Sequence, residues 1–107
     1  MSSAYVLALF ITLVVEVPIV AACFSGQRLR MAAVCAAATT CTHLSMHFIL
    51  PQLVGSFGQF IFLGELGALL AEASVYWLAS RPRDPGLALV ASALANALSY
   101  GVGLLLI

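Results

Sequence analysis

Five ionisable side chains, Glu16, His43, His47, Glu65 and Glu72, stand inside long apolar stretches of this sequence, and Asn96 joins them as a hydrogen-bonding group. An ionisable group at the centre of a bilayer costs about 2.5–3.5 kcal/mol on insertion scales, so such residues face a protein interior and find partners. His43 and His47 are spaced i, i+4, which puts two imidazoles on one face of a helix turn, the arrangement that chelates a divalent metal. The stretch Thr42-His43-Leu44-Ser45-Met46-His47 lacks the Glu of a metalloprotease motif. The His pair therefore reads as a metal site, a proton-handling pair, or helix-to-helix hydrogen-bonding residues. Glu65 and Glu72 are two turns apart, about 10.5 Å along a helix, too far to share one proton or one metal. Each needs its own partner: His43 for Glu65, and Glu16 or Asn96 for Glu72. Two carboxyls brought together out of water cannot both ionise. If Glu16 and Glu72 meet, one of them is expected to hold a proton at neutral pH.

The elements that must position these groups follow from hydropathy. Of the 107 residues, 64% are hydrophobic and 7% charged, against roughly 45–50% and 25% in an ordinary soluble domain. A water-soluble fold of this length would leave much of that apolar surface exposed. Four windows have the roughly 20 mostly apolar residues of a transmembrane helix: about 4–24, 31–50, 57–80 and 87–107. The breaks are Ser25 to Arg30, a short turn from Pro51 to Gly58, and Arg81 to Gly86. The expected fold is all-α, a single integral membrane bundle of four transmembrane helices spanning 1–107. Pro18 within the first helix removes a backbone donor and frees the carbonyl near Val14. Arg28 and Arg30 lie in the first break and Arg81 and Arg83 in the third. The positive-inside rule then puts those breaks in the cytoplasm and both termini on the non-cytoplasmic side. The plasma (inner) membrane of a bacterium is the expected location.

Helical spacing gathers the polar residues into one seam per helix. Thr12, Glu16 and Cys23 align on the first. Cys35, Thr39, His43 and His47 align on the second, flanked by Thr42 and Met46. Glu65, Glu72 and Tyr76 share a face of the third. Ser92, Asn96, Ser99 and Gly103 share a face of the fourth, with Tyr100 beside them. Counting about 1.5 Å per residue gives two layers, with His43 and Glu65 nearer the outer surface and Glu16, Glu72 and Asn96 nearer the inner one. The candidate ion-binding residues are therefore Glu16, His43, Glu65, Glu72 and Asn96, with His47, Tyr76, Ser99 and Tyr100 as supporting polar groups. Tyr5, Tyr76 and Trp77 near window ends, and Phe57, Phe60 and Phe62, have the position of interfacial anchors. Gly64 with Ala68, and Ala93 with Ala97 and Gly101, permit close helix contact within the chain or in a homo-oligomer. The halves share a helix–Arg break–helix plan without an evident sequence repeat.

With zero formal net charge and no basic tract, nucleic acid is not an expected partner. Cys23, Cys35 and Cys41 form no CxxC pair and read as small apolar residues rather than a redox centre. Val20-Ala21-Ala22-Cys23 has the form of a lipoprotein cleavage box, but Glu16 and Pro18 interrupt the apolar run such a signal needs. Length, four helices and a Glu in the first helix resemble the small multidrug resistance transporters. The aromatic-rich Gly motifs of that family have no match here, and this chain has three intramembrane acids and two His, so no residue role is carried across.

These observations imply a small transporter or channel-like protein for protons or a small cation, working in the lipid bilayer, with a path from His43 and Glu65 to Glu72, Glu16 and Asn96. Two alternatives belong to other classes. One is a membrane-embedded enzyme using a His/Glu acid–base pair on a lipid or isoprenoid. The other is a structural or assembly subunit whose polar seams only fix helix packing. A divalent metal at His43 and His47 is the one cofactor the residues suggest.

Overall fold

A computed structural model describes residues 3–49 and 55–106, without the Phe57 side chain. The expected end of the second window at Leu50, the start of the turn at Pro51 and an anchoring role for the Phe57 ring fall outside them. The described residues form four helices: α1 (Ser3–Cys23), α2 (Arg28–Phe48), α3 (Phe57–Ala79) and α4 (Pro85–Leu106). Each packs on its neighbours in sequence, and α4 closes back on α1, so the four make a ring about one axis. The bundle is 40 Å long and 24 × 21 Å across.

Local chemistry sets the helix ends. Gly26 takes φ +84 in the turn between α1 and α2, a conformation a side chain would strain. Arg28 and Arg30 belong to the first turn of α2 rather than to a break. Hydropathy stops at the charges, but Arg is a good helix former. Ser56 caps α3 by accepting from the Gln59 N–H at 3.1 Å, while Gln59 Oε1 reaches back to the Gly55 N–H at 3.0 Å, one residue before the N–H that a capping box would use. Asp84 caps α4 through the Leu87 N–H at 3.0 Å, with Pro85 next in line, where its missing N–H costs nothing. α1 runs through Pro18 without interruption.

Three of the helices, over Ser3–Cys23, Gly58–Ala79 and Pro85–Leu106, are long and apolar enough to cross a membrane. The outer surface agrees with them. Phe10 (62% exposed), Phe62 (66%) and Leu104 (65%) point outward, as do many Leu and Val residues along α1, α3 and α4. The inside holds Glu16, Thr39, Glu72, Ser92, Asn96 and Ser99. Water would penalise such a polar-in, apolar-out arrangement, and lipid favours it. This is a membrane protein.

The interior divides along its axis. At the end carrying the α1–α2 and α3–α4 turns, Val20, Phe24, Met31, Cys35, Tyr76, Ala88, Ala91 and Ala95 form a closed core. The Phe24 and Tyr76 rings meet edge to face at 6.4 Å. At the turn end of this core the Gln27 amide bonds both ways to the Arg81 backbone: Nε2 donates to the carbonyl at 2.8 Å, and Oε1 accepts from the N–H at 2.9 Å. Toward the other end the bundle is hollow.

Candidate functional site

The hollow is a cavity of about 380 Å³ lined by residues of all four helices. Glu16 and Glu72, each 1% exposed, form its floor above the packed core. They come from α1 and α3, opposite corners of the ring, and their carboxyl groups meet at the axis. α2 and α4, the other two corners, supply the donors. Thr39 Oγ1 donates to Glu16 Oε1 at 3.0 Å, and Ser99 Oγ donates to Glu16 Oε2 at 2.6 Å. Thr42 Oγ1 donates to Glu72 Oε2 at 2.7 Å, and Asn96 Nδ2 donates to Glu72 Oε1 at 3.0 Å. All four carboxyl oxygens thus have a partner, one from α2 and one from α4 on each acid.

The pattern has a two-fold repeat about the bundle axis. Rotation carries α1 onto α3 and α2 onto α4. Glu16 then falls on Glu72, Thr39 on Asn96 and Thr42 on Ser99, and every acid–donor bond maps onto another. The neighbours follow. Cys35 sits one turn before Thr39 with Sγ 3.7 Å from its hydroxyl, as Ser92 sits one turn before Asn96. Met31 and Ala88, a further turn back, are both buried. The two halves share no visible sequence repeat because different side chains fill equivalent positions.

Further hydrogen bonds tie the floor to the helix backbones. Asn96 Nδ2 also donates to the Ser92 carbonyl at 2.8 Å, and Ser92 Oγ crosses to the Leu69 carbonyl at 2.7 Å. The Tyr76 hydroxyl is buried against Cys35 and Glu72 but makes no well-formed hydrogen bond. The ring is wholly enclosed, so Tyr76 is not the interfacial anchor its place near the window end suggested. Tyr5 is also buried. Trp77 is exposed on the outer face.

The walls carry the remaining candidates. His43, one turn along α2 from Thr39, and Glu65, two turns before Glu72, line the same cavity with Thr12, Met46, Tyr100 and Gly103. No hydrogen bond joins His43 to Glu65 among the described residues. The expected pairing is not made: both side chains line the cavity instead. His43 Nδ1 is buried without a partner. His47 is exposed, and its ring lies tilted against Tyr5 at 4.1 Å, with His43 5.2 Å from the same ring. Among the described residues no group of three or more His, Cys, Asp or Glu side chains could hold a metal ion.

Spacing placed Glu16, Glu72, Asn96 and Ser99 on inward seams, and the structure brings those four together. It keeps His43, Glu65 and Tyr100 in the same cavity and leaves His47 at its edge. Thr39 and Thr42 were seam and flanking residues in the sequence, yet they supply half the donors. The signal that marks them is the pair of i, i+3 motifs, Thr39–Thr42 and Asn96–Ser99, at matching places in α2 and α4. No family model, no curated protein and no solved structure matches this chain.

Proposed function

We propose that this chain is a small membrane transporter or channel-like protein that moves protons or a small cation through the Glu16–Glu72 site. One observation carries the reading: two carboxyls from opposite helices meet on the axis, at the floor of a cavity bounded by all four helices. Two carboxyls out of water repel when both are ionised, and hydroxyl or amide groups would join the helices at lower cost. Such a pair is explained if it binds an ion that comes and goes.

In this reading α2 is the fourth membrane span. Its seam residues Cys35 and Thr39 are buried against the other helices, which offsets its lower hydropathy. The Gln27–Arg81 bonds put the first and third turns at one end, and Arg28, Arg30, Arg81 and Arg83 gather there. We place that end in the cytoplasm, both termini on the opposite side, and the protein in a bacterial inner membrane, working as a homo-oligomer. The cavity then faces the non-cytoplasmic side, and the packed core closes the cytoplasmic one. Movement of an ion needs a second arrangement in which that core opens.

The test is flux into proteoliposomes under an imposed potential, with protons, monovalent and divalent cations offered in turn. The wild type is expected to carry one of these, and Glu72→Gln to abolish the flux while keeping the folded, monodisperse protein. Absence of flux for every ion, or full flux in Glu72→Gln, contradicts the reading.

A second reading has its own observation. A groove of about 420 Å³ on the lipid side of α3 and α4 is lined by Phe62, Leu66 and Leu69, and it shares Ile61, Glu65, Asn96 and Tyr100 with the cavity. A lipid or isoprenoid could reach Glu65 sideways there, with His43 as the acid–base partner. A lipid retained in a native mass spectrum, and lost in Glu65→Gln, would favour that enzyme.

A further inference from the structure

Counting hydrogens around the two acids separates a proton from a metal ion. On Glu72 one oxygen faces an amide donor and the other a hydroxyl with a choice, and on Glu16 both oxygens face hydroxyls. On Glu72 the Asn96 amide nitrogen faces Oε1, and its orientation is forced. The same nitrogen lies 2.8 Å from the Ser92 carbonyl, which can only accept, so hydrogens and not the amide oxygen point at the acid. On Glu16 the Thr39 hydroxyl faces Oε1.

The other oxygen of each acid meets a hydroxyl that has two acceptors in reach and one hydrogen to give. Thr42 Oγ1 is 2.7 Å from Glu72 Oε2 and 3.0 Å from the Thr39 carbonyl. Ser99 Oγ is 2.6 Å from Glu16 Oε2 and 3.2 Å from the Asn96 carbonyl. When the acid is ionised, the hydroxyl donates to it. When the acid carries a proton on Oε2, that proton is donated to the hydroxyl oxygen, and the hydroxyl turns its own hydrogen to the backbone carbonyl. Both states are fully hydrogen-bonded, and only one hydroxyl torsion changes between them. The two-fold repeat supplies this device twice.

A metal ion finds no such provision. A hard cation needs several oxygen lone pairs converging on one point, and at Glu72 the Asn96 hydrogens take the approach to Oε1. We propose that the Glu16–Glu72 pair is a dedicated proton-binding site, in which Ser99 and Thr42 reverse their hydroxyls to follow the protonation of Glu16 and Glu72, and which takes no metal cation. This deepens the transport reading and rests on it for its biological meaning. The other titratable groups facing the pair are Tyr76 on α3, Cys35 on α2, and His43 and Glu65 across the cavity. α4 contributes Tyr100 to the wall.

Infrared difference spectroscopy of the purified protein tests the proposal without any transport. The carbonyl stretch of a protonated carboxyl is expected near neutral pH and is lost on raising the pH. Glu16→Gln and Glu72→Gln assign it, since Gln reproduces the shape and hydrogen-bonding of the protonated acid. Sodium, lithium or calcium at constant pH is expected to leave the band unchanged. Thr42→Val and Ser99→Ala are expected to shift its frequency, and Thr42→Ser to restore it. Loss of the band on adding one of those cations overturns the proposal. So does absence of the band at every pH, or a band indifferent to Thr42→Val and Ser99→Ala. An intact band in a protein without flux would sink the transport reading alone.

Discussion

At the end with the arginines, Phe24, Met31 and Tyr76 fill the axis completely, and the Gln27 amide ties the two turns across the top. At the other end the same four helices enclose a cavity of about 380 Å³, with Glu65, His43 and Tyr100 on its walls. The helices are alike in length, so the difference lies in how the side chains fill the axis. Phe24, Met31 and Tyr76 close it at the first end. At the second, Thr12, Gly103 and polar groups leave it open, with Met46, Ile61 and Tyr100 on the walls. The acid pair stands where the two regimes meet, closed from one side and open from the other. The contrast teaches that stability and access are divided by level along the axis rather than by helix.

Phe24→Ala breaks the packed end most severely. It empties a fully buried aromatic volume and should cost about 3–5 kcal/mol, read as a fall in unfolding midpoint in detergent. A loss below about 1 kcal/mol would mean the closed end is not where the bundle is held. Asn96→Ala acts at the boundary. It removes the donor to Glu72 Oε1 and the bond to the Ser92 carbonyl, and should cost about 1–3 kcal/mol by the same measurement. Leu104→Ala acts at the mouth of the hollow end, on a side chain already mostly exposed. It should change stability by less than about 0.5 kcal/mol. A large loss there would show that the mouth is packed by something else, such as another copy of the chain.

The inward seams were legible because lipid makes polar groups expensive, and i, i+4 spacing then says which of them share a face. That reasoning reaches Glu16, Glu72, Asn96 and Ser99. It puts Thr39 on a seam and Thr42 beside it without marking either as a donor to the acids, since a helix offers every hydroxyl a local alternative. Thr12 bonds to the Ala8 carbonyl, Thr40 to that of Ala36, Ser45 to that of Cys41 and Ser74 to that of Leu70. Nothing in the composition says which hydroxyls stay home and which cross to another helix. The partner expected for Glu65 failed for a related reason. Depth along an axis puts His43 and Glu65 at similar levels, but only packing decides whether their helices touch there. Tyr76 near a window end has the place of an anchor, and only the structure shows its ring turned inward over Cys35. The axial repeat stayed hidden because Glu, Thr and Asn satisfy one geometry with different atoms.

The most direct test of one-sided access uses thiols at the two levels. Cys35 lies buried in the packed end, while a side chain at Gly103 would project into free space on the cavity wall. With Cys23 and Cys41 replaced by Ser, a membrane-impermeant thiol reagent is applied to each face of oriented vesicles. Gly103→Cys should label only from the face away from the arginines, and faster than Cys35 from either face. Labelling of Gly103→Cys from the arginine face, its protection from both, or Cys35 labelling faster than Gly103→Cys, would contradict the account.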